Sequence, residues 1–276
     1  MVIRQSITIS LLGLMAAAAA SARPLAGTAI VTGGGRGIGA ACSRALAARG
    51  FGVVISYVSD AESATAVSTE IQDAGGMAAT FRADVGCEAD VVNLFAFADT
   101  AFGEDVPLTA LVNNAGVLGS KDQSLASTTS QELHELIAVN VAGPLTACRE
   151  AEKRMSTANG GKGGAIVQIS SGSAYIGSPL LYASSKGALN SLTIGLVKPL
   201  AQVGIRINTV SPGMTETDLV AEVIPRFDFT QIPLGRIGQP SEVANAVVWL
   251  LSEEASYVAG ANMRVAGGRP PGTTLG

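Results

Sequence analysis

The chain has 276 residues, of which 47% are apolar and only 14% charged, a balance that supports a large buried core and excludes disorder. A net charge of −4 and a pI near 5.1 give no basis for nucleic-acid binding. One histidine, His134, and three scattered cysteines, Cys42, Cys87 and Cys148, form no metal motif, and the unpaired spacing reads as reduced thiols.

Residues 1–26 form an apolar extension. An early Arg4, an apolar run from Ile7 to Ala20 and the sequence Ala20-Ser21-Ala22 outline a secretory signal with an A-x-A site. The alternative is an extension without a targeting role, with translation from Met15. The run is short for a bilayer, which needs roughly 20 apolar residues, so no stable membrane span is expected.

Strand and helix then alternate. Strands are predicted at 27–33, 51–57, 76–85, 108–116, 165–171, 204–213 and 262–268. Helices are predicted at 36–50, 60–74 with Asp60 as N-cap, 88–103, 129–157, from about Tyr182 to 203, and 240–253. Pro199, inside the helix after Tyr182, should kink it or change its geometry early, because it removes the bond to Gly195. His134 should lie on a helix surface. Short apolar strands alternating with helices imply βαβ units with right-handed crossovers. The expected fold class is α/β: one doubly wound parallel sheet flanked by helices on both faces, forming a single domain over 27–270, with a tail at 271–276.

"TGGGRGIG" (32–39) joins the first strand to the first helix. Glycines 33, 37 and 39 allow a tight turn and a close approach of a phosphate to the helix N-terminus. The second strand ends in Ser56 and Tyr57, with no acid at its tip to bind a ribose 2′-hydroxyl. Arg36 could pair with a 2′-phosphate, so NADP(H) is favoured over NAD. Further on, "YASSK" places Tyr182 and Lys186 four residues apart, on one face of a helix. An ammonium one turn away should lower a phenol's pKa from about 10 toward neutrality. Tyr175 has no such lysine and reads as a pocket wall.

These motifs resemble the short-chain dehydrogenase/reductase family. "TGGGRGIG", "NNAG" (113–116), "VNVAG" (139–143), "ISS" (169–171), "YASSK" (182–186) and "SPG" (211–213) stand in the family's order, and the likeness covers about 27–268. Within the family the chain is similar to bacterial 3-oxoacyl-carrier-protein reductases and sugar dehydrogenases. The resemblance implies a Rossmann-type fold and an NADP(H)-dependent oxidoreductase acting on a small carbonyl or secondary alcohol. It implies Tyr182 as acid/base, Lys186 supporting it, Asn140 holding a relay water, and a serine on the substrate oxygen. Ser171, eleven residues before Tyr182 where the family commonly has thirteen, is the first choice, with Ser170 and Ser173 as alternatives; the loop between is read as shortened.

The resemblance also implies cofactor contacts from Gly33, Gly35, Arg36, Gly37, Ile38, Gly39, Ser56, Tyr57, Asp84, Val85, Asn114, Ala115, Gly116, Tyr182, Lys186, Pro212, Gly213, Thr215 and Thr217. Asp84 and Val85 would flank adenine, Asn114 would lie near the adenine ribose, and Thr217 would meet the carboxamide. Asp84 also reads as a strand-end cap. Segment 214–238 looks like a substrate lid, with Pro225, Phe227, Phe229 and Ile232 as apolar cover. The family commonly forms homodimers and homotetramers through helices matching 129–157 and 180–203. A nucleotide cofactor and reduced thiols favour the cytoplasm, with export as the alternative if 1–22 act as a signal peptide. The main rival reading is a non-catalytic NADP-binding sensor or scaffold on the same fold, with no metal in either case.

Overall fold

The computed structural model describes residues 26–119 and 125–271. The extension up to residue 25, its signal reading and the tail from residue 272 lie outside them. The first described backbone bond runs from the Ala26 N–H to the Gly50 carbonyl at 2.8 Å.

Seven parallel strands form one sheet in the order β3-β2-β1-β4-β5-β6-β7. They are β1 (Gly27–Val31), β2 (Phe51–Tyr57), β3 (Met77–Arg82), β4 (Leu108–Asn113), β5 (Gly164–Ile169), β6 (Ile205–Pro212) and β7 (Asn262–Val265). The helices are α1 (Gly37–Ala48), α2 (Ala61–Asp73), α3 (Glu88–Ala98), α4 (Ser130–Ile137), α5 (Gly143–Met155), a short α6 (Ser173–Ile176), α7 (Leu180–Ala201) and α8 (Pro240–Leu251).

Period-2 alternation sends successive strand residues to opposite faces. Ala29, Val31, Val53 and Ile55 pack under α1, α2 and α8, whereas Ile30, Val54, Leu111 and Ile166 pack under α3, α5 and α7. Both faces are covered, as an all-parallel sheet requires. The order reverses between β1 and β4. At such a point the connections diverge to opposite faces and open a crevice outside the carboxyl ends of the strands. Ser171, Pro212, Asn114 and Gly33 all sit at that end.

One expectation needs correction. The helix predicted over 129–157 is not continuous: α4 and α5 are separated by a π-helical turn at Ala138–Ala142. Pro144 is one physical reason, because it has no N–H to offer the Asn140 carbonyl four residues back. The start is well specified: Thr129 accepts from the Glu132 N–H at 3.2 Å and Glu132 accepts from the Thr129 N–H at 3.0 Å, a capping box. The α-helix α7 carries Pro199 and ends at Ala201, close to the expected end near 203. The proline lies in the last turn, where the loss of one bond is tolerated. His134 is exposed on α4, and the thiols of Cys42, Cys87 and Cys148 are free. Among the described residues no helix is long and apolar enough to cross a membrane.

Candidate active site

The centre of the site is a buried lysine. Tyr182 and Lys186 occupy one face of the first turns of α7, and both are buried. The Lys186 Nζ donates to the Ile169 carbonyl at 2.8 Å, at the end of β5, and lies 5.6 Å from the centre of the Tyr182 ring. Desolvation brings the Lys186 pKa down to about 8. Burial pushes the Tyr182 phenol up, opposed by a hydrogen bond with Ser171. The expected lowering of Tyr182 by Lys186 is therefore not what the protein's own groups produce: loss of water dominates both residues.

The serines separate cleanly. Ser171 is the one that meets the Tyr182 phenol. Its Oγ also accepts from the Ser173 N–H at 3.1 Å, so Ser173 is engaged through its backbone at the start of α6. Ser170 is buried and donates to the Lys186 carbonyl at 3.1 Å, which makes it a brace for α7.

Asn140 is fully buried in the π-helical turn. Its Nδ2 donates to the Val117 carbonyl at 2.9 Å and to Ser185 Oγ at 3.0 Å, and its Oδ1 accepts from the Val117 N–H at 2.9 Å. The side chain is thus committed to protein partners rather than to a water. Gly116 brings the parts together: a Cβ there would lie 3.3 Å from both Asn140 Oδ1 and Lys186 Nζ.

The glycine turn is built for closeness. Gly33 and Gly37 have φ of +61° and +51°, the left-handed region that glycine enters without strain. A Cβ on Gly39 would collide with the Gly33 carbonyl oxygen and Asn114 Nδ2. No side chain caps α1 and no acid occupies its first turn, which leaves its amides and dipole for an anionic group. These features fit a dinucleotide pyrophosphate.

A family model described as enoyl-(acyl carrier protein) reductase matches residues 33–269. The uncharacterized oxidoreductase YgfF of Escherichia coli (strain K12) is 44% identical over 248 residues, covering 87% of this chain and 99% of that protein. The 3-oxoacyl-[acyl-carrier-protein] reductase FabG of Staphylococcus aureus is 33% identical over 87% of this chain and 97% of its own. A short-chain dehydrogenase of Burkholderia cenocepacia J2315, solved in complex with NADP, superposes with a TM-score of 0.78 at 32% identity, covering 90% of this chain and 99% of that one. The chain belongs to the short-chain dehydrogenase/reductase family.

Several residues that the family resemblance assigns to the cofactor act here as braces. Asn114 spends its side-chain amide on the Thr32 and Gly33 carbonyls, both at 3.0 Å. The Ala115 N–H donates to Thr32 Oγ1 at 3.0 Å. Ser56 is buried beneath the turn, where its Oγ accepts from the Gly33 N–H at 3.4 Å, so it does not form the strand tip. A Cβ on Gly35 would meet the Ala64 backbone at 2.9 Å, so this glycine admits α2. Ile38 and Tyr57 pack on the core, and Val85 is buried. Asp84 Oδ1 accepts from the Gly86 N–H at 2.8 Å, which is the strand-end cap.

After β6, where the resemblance assigns the nicotinamide, the Pro212 carbonyl accepts from the Gly172 N–H at 2.7 Å, and the Gly213 N–H donates to the Val265 carbonyl at 2.9 Å. Thr215 is buried and donates to the Gly213 carbonyl at 3.1 Å. Thr217 stands over the glycine turn: its Cγ2 would lie 3.0 Å from a Cβ on Gly37. In segment 214–238, Phe227 and Ile232 are buried while Pro225 and Phe229 face outward, so only half of the expected apolar cover points inward.

Asp60 caps α2, with its Oδ1 accepting from the Ser63 N–H at 3.0 Å. Its Oδ2 also lies 3.4 Å from Arg36 Nε. The sequence reading missed that carboxylate beside Arg36, because the pairing spans 24 residues. It also gave no role to Thr32 and Ser185, whose hydroxyls tie the site together although both stand inside quoted motifs.

A cavity of about 1020 Å³ lies at the opposite end of the sheet, bounded by strand starts such as Thr109, Gly164 and Ile205. It is far from Tyr182, and an open α/β sheet carries its chemistry at the other end.

Gly39→Ala should lower the unfolding temperature, by an overpacking cost of roughly 1–3 kcal/mol, and weaken nucleotide binding together with it. Unchanged melting and unchanged binding of NADPH by calorimetry would refute this reading of the turn.

Proposed function

We propose that this protein transfers hydride between NADP(H) and a small carbonyl or secondary alcohol, with Tyr182 as general acid/base. The observation that carries the reading is the meeting of the Ser171 hydroxyl with the Tyr182 phenol, one helical turn from a buried lysine. A bound nicotinamide supplies or accepts the hydride. Tyr182 gives its proton to the carbonyl oxygen as negative charge develops there. Its raised pKa keeps it protonated at neutral pH, the form that reduction needs. Ser171 donates to the same oxygen, an oxyanion role. In its charged form Lys186 stabilises the phenolate left behind. Asn140 fixes the turn beside Lys186 through its side-chain bonds to Val117 and Ser185.

Residues 27–270 are read as one oxidoreductase domain, acting in the cytoplasm where the nucleotide is abundant. The outer faces of α5 and α7 carry Leu145 and Ile194, 44% and 69% exposed. They are read as the contact between copies in a dimer or tetramer; light scattering at micromolar concentration should show an oligomer, and a monomer would remove this part.

Tyr182→Phe should reduce turnover by about 10²–10⁴-fold, the usual span of general acid catalysis, while NADPH binding persists. Activity above about a tenth of wild type would exclude Tyr182 as the proton donor.

NADPH should be used more efficiently than NADH, with Arg36→Gln removing much of the difference. Asp60 competes with a 2′-phosphate for Arg36. Asp60→Asn keeps an N-cap of equal quality but discards the charge, and should raise the NADPH:NADH efficiency ratio. Equal use of both nucleotides by the wild type defeats the argument.

A further inference from the structure

Two arginines beyond the chemistry described above stand at the same end of the sheet. Arg264 lies in β7, and its guanidinium stacks 5.1 Å from the ring centre of Tyr175, in the short α6 that begins two residues after Ser171. Arg269 follows the Gly267–Gly268 turn. It stacks 5.3 Å over Phe227 of the lid and donates Nη2 to Gln231 Oε1 at 2.9 Å. Arg264 Nη2 donates to the Arg269 carbonyl. One guanidinium is therefore fixed to the loop beside the reactive serine and the other to the lid.

Among the described residues neither guanidinium has a carboxylate partner. Burial, and then the charge of Arg264, both push Arg269 below its ordinary pKa, so the two cations feel each other. The Nε–H of each is buried without an acceptor, and neither Nη1 has a protein acceptor. Two half-buried like charges with orphan donors destabilise the protein unless an anion is shared between them. Stacking on aromatic rings holds both forks in place, so little freedom is lost when such an anion arrives.

We propose that Arg264 and Arg269 form a clamp for the substrate: the carbonyl compound reduced at Tyr182 carries a carboxylate, seated between the two guanidinium groups. A planar carboxylate matches the guanidinium fork in two-point fashion. Tyr175 is then a wall that orients Arg264. The inference rests on the oxidoreductase reading given above.

The test pairs oxo acids with their methyl esters. Acetoacetate, 4-oxopentanoate and 5-oxohexanoate are assayed against the corresponding esters with NADPH and NADH. At least one acid should exceed its ester in kcat/KM by about tenfold or more, the scale of a charge-assisted contact. Arg264→Gln and Arg269→Gln should collapse that ratio mainly through KM, while Arg264→Lys and Arg269→Lys keep part of it. Equal turnover of acid and ester by the wild type overturns the clamp. So does an equal loss on both in the variants, which would mark a purely structural role. Calorimetry with hexanoate against hexanamide gives a readout free of turnover. Hexanoate binding that disappears in the Gln variants supports the clamp even if no carbonyl is reduced, in which case the oxidoreductase reading alone fails. Esters reduced as well as acids would sustain that reading and sink the clamp.

Discussion

A desolvated ammonium organises this site. Lys186 is buried, and the one protein acceptor its Nζ reaches among the described residues is the Ile169 carbonyl. Burying a cation on so little compensation is costly, and the fall of its pKa to about 8 measures the strain. The position holds because the surroundings leave no other. Ser170 ties the Lys186 carbonyl to the end of β5, Gly116 gives the ammonium room, and Asn140 closes the far side. Tyr182 is placed by the same constraint, since its helix is pinned one turn further on. A Cβ at 116 would press on both the lysine and the asparagine, at 3.3 Å from each.

A similar economy governs the glycine turn. Chain segments about 80 residues apart meet there through Thr32 and Asn114. Both Asn114 side-chain N–H groups are spent on turn carbonyls, so its amide fixes the shape of the turn. Ser56 does the same from β2. The amides left free at the start of α1 point where they do because three separate strands hold the loop. Side chains and backbone divide the work: Thr32, Ser56 and Asn114 face the protein, and the first amides of α1 are left without a side-chain cap.

That division explains how much was legible in the sequence. The apolar strands, their order of appearance and the Tyr182–Lys186 spacing follow from periodicity, and the structure places each close to its expected bounds. The opposite directions of Ser170 and Ser171 were also within reach, because successive residues at a strand end point opposite ways. What periodicity cannot give is partnership across the fold. The Arg36–Asp60 pair, the burial of Ser56 and the outward turn of Phe229 depend on which segments meet. The π-helical turn lies between these cases. Pro144, four residues after Asn140, was a visible signal, but a single missing donor does not say whether a helix ends, bends or widens.

Burial also reverses the order in which the two central groups titrate. Tyrosine is driven up from 10 and lysine down to about 8, so among the protein's own groups the lysine loses its proton first. A preformed phenolate beside a permanent ammonium is therefore not the resting arrangement, and lowering the phenol with Lys186 needs help from outside the protein. Negative charge close to Lys186 would favour the ammonium, and the charged ammonium would in turn favour phenolate. The cost of burying that lysine thus has a use, because a residue balanced near neutral pH responds to a ligand's charge, whereas an exposed lysine would stay charged whether or not anything were bound.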